Sequence, residues 1–127
     1  AILLGNKADL PEAGENCRVL LEGFSPKYAA ICVSAKENLN LEESRGEIYS
    51  ILDIVRAYTK APGKSADLSD PVILPKGKTV LDFAAQIHKD FAQKLKYARI
   101  WGKEKYDGQM VQRDYVLRDG DIIEMHL

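Results

Sequence analysis

An α/β segment followed by a smaller α+β segment is the fold class that this sequence predicts. Three observations carry the prediction. Two short apolar runs, AILL and AAICV, are each followed by a turn and a helical pattern, as buried parallel strands with crossing helices require. From Tyr58 the composition shifts to Pro, Gly, Ser and Asp in YTKAPGKSADLSDP, which reads as a linker. Beyond it, one helical stripe lies between strand patterns. The predicted division is residues 1–57, a linker over 58–70, and residues 71–127.

Each element has its own reason. AILL is a short continuous apolar run, as in a strand covered on both faces. Pro11 suits a helix start, with Glu12, Ala13, Cys17, Val19 and Leu20 behind it. AAICV is the second strand, and Cys32 within it reads as a small buried hydrophobe. Asn40-Leu41-Glu42-Glu43 has the form of a capping box. The helix behind it places Ile48, Ile51, Leu52 and Val55 on one face; Gly46 inside it costs about 1 kcal/mol relative to Ala. In the second segment, Val72, Ile73 and Leu74 form a strand and Lys76-Gly77-Lys78 a turn. Thr79 caps a helix, with Asp82 near its positive end. Phe83, Ala84, Ile87, Phe91 and Leu95 fall on one side of that helix. KYARIWGK alternates like a strand. Asp107-Gly108 and Asp119-Gly120 are turn signals, each leading into a further strand. One helix on a small mixed sheet is a β-grasp, ubiquitin-like arrangement.

Composition bounds the function classes. The chain has 127 residues, 46% hydrophobic and 29% charged, with net charge −1. No apolar run approaches the roughly 20 residues of a membrane helix, and no secretory leader is expected. Cys17 and Cys32 lack metal-ligand spacing, so the expectation is no disulfide framework and a reducing, cytoplasmic setting. Residues 1–57 hold six Lys/Arg against nine Asp/Glu, and residues 58–127 hold twelve against ten. The mildly basic second part permits nucleic-acid contact without demanding it.

The first chemical signal is Asn6-Lys7-Ala8-Asp9, directly after the first strand. A carboxylate at Asp9 can accept from both guanine N1–H and the exocyclic amine, a pair that adenine does not offer. Asn6 can tie loops together, and the Lys7 stem can lie along a base plane while its ammonium stays wet. Directly after the second strand stands Val33-Ser34-Ala35-Lys36. There a backbone N–H, that of Ala35 foremost, would donate to guanine O6. The competing reading is a strand-to-helix turn whose Asn and Asp only satisfy turn hydrogen bonds. Gly63-Lys64-Ser65 looks like the end of a phosphate loop, but Tyr58 stands where that motif needs its first Gly. No D-x-x-G segment precedes Asn6 either. No nucleophile–base pair emerges, so no catalytic residue and no metal site is expected. His88 and His126 each stand alone.

Together, NKADLP, VSAK, ILDIVRAYTKAPGK, PVILPKGKTVLDFAAQIHKDFAQKLKYARIWG and VLRDGDIIEMHL resemble the C-terminal portion of the developmentally regulated (DRG-type, Obg-like) GTP-binding proteins. In that resemblance, residues 1–57 correspond to the end of a P-loop GTPase domain. Residues 71–127, behind the linker, correspond to a TGS domain. It departs at Tyr106-Asp107-Gly108-Gln109, where the family often carries His and Pro. The resemblance implies that a longer parent binds and hydrolyses GTP with Mg, and that this chain alone holds GTP or GDP only weakly. The guanine residues would be Asn6, Lys7, Asp9, Ser34, Ala35 and Lys36. It also implies RNA or ribosome association, or a regulatory protein partner without RNA. The strands at the severed edge of the sheet are expected to support self-association.

In KYARIWGK, Ala98 and Ile100 share one face while Tyr97, Arg99, Trp101 and Lys103 share the other. Aromatics interleaved with cations could stack bases and neutralise phosphates. Lys94, Lys96 and Lys105 enlarge the basic neighbourhood, with Lys76 and Lys78 a weaker candidate. Against this, Trp101 and Tyr97 could pack on a neighbouring segment, and Arg99 could stack on Trp101.

Overall fold

The computed structural model describes residues 1–103 and 106–127. They form two compact units, Ala1–Leu52 and Asp53–Leu127. In the first, β1 (Ile2–Gly5) and β2 (Ala29–Cys32) run parallel. Helix α1 (Ala13–Phe24) connects them, and α2 (Leu41–Leu52) follows. The register pairs Ile2 with Ala29 and Gly5 with Cys32. Gly5 permits the close approach of α1: a Cβ there would stand 2.7 Å from Leu20 Cδ2. Ile31 and Val33 are the buried apolar residues of this unit. α1 buries none of its residues, and Val19, Phe24, Ile48, Ile51 and Leu52 are exposed.

The second unit is built on a five-stranded sheet. Its strands are β3 (Ile54–Lys60), β4 (Ala66–Pro75), β5 (Tyr97–Trp101), β6 (Gln109–Val111) and β7 (Asp121–His126), in the order β4-β3-β7-β5-β6. β3 and β7 are parallel, and the other pairs are antiparallel. Helix α3 (Val80–Ile87) lays Val80, Phe83 and Ala84 on the inner face. There they meet Val55, Ala57, Leu74, Ala98, Ile100 and Ile123 in one core. Thr79 and Asp82 form a capping box at the start of α3. This is the expected β-grasp.

Four expectations change. The predicted boundary at 57 and the linker over 58–70 give way to a hairpin. β3 and β4 pair through Thr59↔Asp67 and Lys60↔Ala66, and the Pro62-Gly63 stretch is their turn, with Gly63 at φ 74. Pro and Gly mark a tight reversal here, and the chain divides before Asp53. Val55 accordingly leaves the predicted helix face and is buried in the second core. The helical stripe through Leu95 is broken at His88, which is extended (φ −162°, ψ 141°) and caps the short α4 (Lys89–Lys94) by accepting from Asp90 N–H. Leu95 is buried beyond the end of α4. Asn40 does not build the predicted capping box: its backbone is left-handed at φ 56, and its amide donates to the Cys32 carbonyl at 2.9 Å.

Cys17 and Cys32, expected to be free thiols, are joined by a disulfide. α1 lies against β2 and brings their Cα atoms to 6.0 Å, well within bonding reach. Among the described residues, no helix is long and apolar enough to cross a membrane.

Candidate functional site

The two predicted base-reading loops are brought together at the ends of β1 and β2. Val33 N–H donates to the Gly5 carbonyl at 2.8 Å, and Ala8 N–H donates to the Val33 carbonyl at 3.0 Å. These bonds continue the parallel ladder past the strand ends. Above them, side chains lock the loops to each other. Ser34, fully buried, donates its hydroxyl to Asp9 Oδ1 at 2.6 Å and accepts from Glu37 N–H at 3.1 Å. Ala35 N–H donates to Asn6 Oδ1 at 3.1 Å. Ser34 and Leu39 close the second loop through reciprocal backbone bonds. Lys7 has φ 64, a left-handed conformation that costs a non-glycine residue about 1–2 kcal/mol. Asn6, Lys7, Asp9, Ala35 and Lys36 are all exposed, so the constellation faces solvent.

One expectation needs correction in detail. The Ala35 N–H assigned to guanine O6 is held by the Asn6 amide. A base reaching that donor must share it with Asn6 or displace Asn6. The Asp9–Ser34 bond uses one carboxylate oxygen, Oδ1, and points the acid across the gap between the loops. Gly63-Lys64-Ser65 lies in the turn between antiparallel strands, not at the strand–helix junction that cradles phosphate.

The second predicted site is the outer face of the five-stranded sheet. Register places Trp101 beside Ile122, whose other neighbour is Tyr58, Arg99 beside Glu124, and Tyr97 beside His126. Arg99 is exposed, Tyr97 and Trp101 are half-buried, and Lys103 is exposed in the turn after β5. Lys94 and Lys96 are exposed as well, and Lys105 lies outside the described residues. The rings are not free platforms on both sides. Tyr97 stacks on His126 with centroids 4.5 Å apart and planes within 9°. Among the described residues, Lys60 stands over the Trp101 ring at 4.4 Å.

Sequence reasoning missed the centre of this face. Glu124 is 6% exposed, accepts from Lys60 Nζ and bonds His126 Nε2 at 2.8 Å. The Lys60 hydrogen bond foremost holds its carboxyl below the usual range, against the opposing effect of burial. The signal for Glu124 and His126 was the alternation of DIIEMH; Lys60 was hidden by the linker reading. Asp119 completes the rim: its carboxylate accepts from Arg56 N–H, Nε and NH2, the last at 2.9 Å.

The TGS domain family matches residues 55–126. An uncharacterized GTP-binding protein of Methanocaldococcus jannaschii is 36% identical over 126 residues, covering 97% of this chain and 32% of that protein. Developmentally-regulated GTP-binding protein 1 of Xenopus laevis is 38% identical over 95 residues, covering 73% of this chain and 26% of its own length. The chain thus spans about a third or less of these relatives. Among solved structures, a GTP-binding protein from Pyrococcus horikoshii OT3 superposes with TM-score 0.71 at 20% identity, over 98% of this chain and 45% of that one. The fold is shared.

Proposed function

This chain belongs to the TGS domain family, and we propose that it joins the guanine-specifying end of a DRG-type GTP-binding protein to a TGS sheet that docks RNA. The observation that carries the guanine half is the lock between loops: Asp9 to Ser34 and Asn6 to Ala35. Asp9 reads N1–H and the exocyclic amine, Asn6 and Ala35 meet the O6 edge, and the Lys7 stem lies along the base. Phosphate and Mg²⁺ contacts, and hydrolysis itself, belong to the longer protein. The chain alone is expected to hold GTP or GDP only weakly. Millimolar GDP should shift the amide resonances of Asn6, Lys7 and Ala35, and ADP should not; equal response to both nucleotides would remove the guanine assignment.

The RNA half rests on Arg99 and Lys103 beside the remaining faces of Tyr97 and Trp101. Bases stack on aromatic faces for about 1–3 kcal/mol each, and phosphate neutralisation makes binding strongly salt-dependent. Titration with a structured RNA at low and moderate salt tests it. Binding should weaken steeply with salt, and Trp101→Ala and Arg99→Ala should each cost roughly tenfold in affinity. No binding at low salt refutes RNA docking. The second reading, a regulatory protein on the same sheet, is favoured by Met110 and Ile73, 61% and 44% exposed. Register puts both on the outer face, opposite Arg99 and Arg56. A cytoplasmic location fits either reading.

A further inference from the structure

The disulfide joins the helix behind the first loop to the strand before the second, and the base-reading chemistry does not use it. Cys17 lies on α1, the helix that follows the Asn6–Asp9 loop, and Cys32 ends β2, the strand that feeds Ser34. Both residues are half-buried. Both line a cavity of about 590 Å³ whose wall includes Gly5, Asn6, Lys7 and Leu20. A Cβ on Gly5 would stand 2.7 Å from Leu20 Cδ2 and 3.4 Å from Cys32 Sγ, so the bare glycine lets α1 pack closely against the Gly5–Cys32 pair of strand residues. The next residue, Val33, carries both backbone bonds that tie the loops, to Gly5 and to Ala8. The Cys32 carbonyl also anchors Asn40.

We propose that Cys17 and Cys32 are a reversible thiol–disulfide exchange site, with a low-molecular-weight disulfide of the glutathione class as oxidant, and that closing it clamps the two loops. One cysteine thiolate attacks a sulfur of the glutathione disulfide and expels a glutathione thiolate, which takes up a proton. The other cysteine thiolate then attacks the protein sulfur of the mixed disulfide and expels the second glutathione. The protein sulfurs lose two electrons, and the glutathione disulfide gains them as two thiols. In a reducing compartment the pair rests as thiols and closes as the poise rises. A cross-link across a sequence separation of 15 residues restricts the open chain by roughly a hundredfold in its opening equilibrium. The consequence for base recognition rests on the guanine reading; the exchange chemistry and the clamping are measured without nucleotide.

The experiment equilibrates the chain in glutathione buffers of graded ratio, traps free thiols by alkylation and reads intact mass. Amide hydrogen exchange at Ala8, Val33 and Ala35 is followed in both states. The expected result is one reversible transition to an intramolecular disulfide, with those three amides slowed by up to roughly a hundredfold. Cys17→Ser and Cys32→Ser should instead retain glutathione as a mixed disulfide and exchange at the reduced rate. Full alkylation at every ratio, formation of only intermolecular dimers, or a disulfide that leaves the three amides unchanged each overturns the proposal.

Discussion

Replacing Glu124 by Gln removes one charge from the outer sheet face while keeping the side chain's shape. The carboxylate side chain is 9% exposed and Lys60 is 20% exposed, so the pair is largely shielded. Its bond to Lys60 is charge-assisted and worth about 1.5–3 kcal/mol. Leaving a buried partner uncompensated costs about 3–5 kcal/mol. Lys60 keeps the Trp101 ring 4.4 Å away and some solvent, and Gln keeps one acceptor oxygen. The lower range therefore applies, about 2 kcal/mol, or about 8–16 °C in Tm for a unit of this size.

The pH dependence fixes the sign. Lys60 holds the Glu124 carboxyl below its ordinary 4.5 in the folded state. Its contribution is therefore fully present above 4.5 and is lost as pH falls through the folded value. Asp82 is also held low, chiefly by the Thr79 backbone N–H, but it is common to both proteins and cancels in their difference. The chain's one tryptophan is Trp101, which reports from this same face, so urea unfolding by fluorescence is the assay. Wild type should exceed Glu124→Gln at neutral pH, and the two should converge under acid. Equal midpoints at neutral pH, or a gap that stays constant under acid, would refute the reasoning.

Thr79→Ala removes the hydroxyl that accepts from Asp82 N–H; the loss of this cap should cost about 1 kcal/mol, or about 4–8 °C by circular dichroism, and Thr79→Ser should restore most of it. Gly108→Ala places a Cβ at φ 70 and 3.2 Å from Trp101 Cζ2; about 1–2 kcal/mol of destabilisation and an altered Trp101 emission are expected. Among the described residues, β1 and β2 pair only with each other, leaving each with an unpaired edge. Sedimentation velocity should then show concentration-dependent association, and a monomer at high concentration would count against it.

The legible parts of the fold are those where one periodicity ran without competition. Tyr97–Trp101 alternates cleanly, and the structure buries Ala98 and Ile100 completely. Thr79 and Asp82 sit at capping-box spacing, and the box forms. The stretch 53–70 failed because a hairpin turn and a linker share Pro, Gly and Ser. What separates them is the strand alternation on either side, and Val55 had been absorbed into the preceding helical stripe. The break at His88 was masked because apolar spacing persists on both sides of a single extended residue. The disulfide was not legible at all: two cysteines on different elements can be paired only once the crossover geometry is known. Lys60–Glu124 joins residues 64 apart, and only the parallel β3–β7 pairing makes them neighbours.

That pairing also decides what a polyanion would meet on the sheet. Tyr97 gives one ring face to His126, and Trp101 gives one to Lys60. Each ring thus offers at most one face to a base. Lys60 is neutralised by Glu124, and Arg56 by Asp119. A phosphate approaching the centre of the face meets a carboxylate that the fold keeps ionised. The cations best placed for it are then Arg99 and Lys103, at the β5 end of the sheet. Glu124→Gln would release Lys60 from its partner and widen the basic surface toward β3. If the sheet binds RNA, the same substitution that weakens the fold should tighten the complex, chiefly at low salt. A protein partner recognised through Glu124 would respond with the opposite sign, so one variant separates the two readings of this surface.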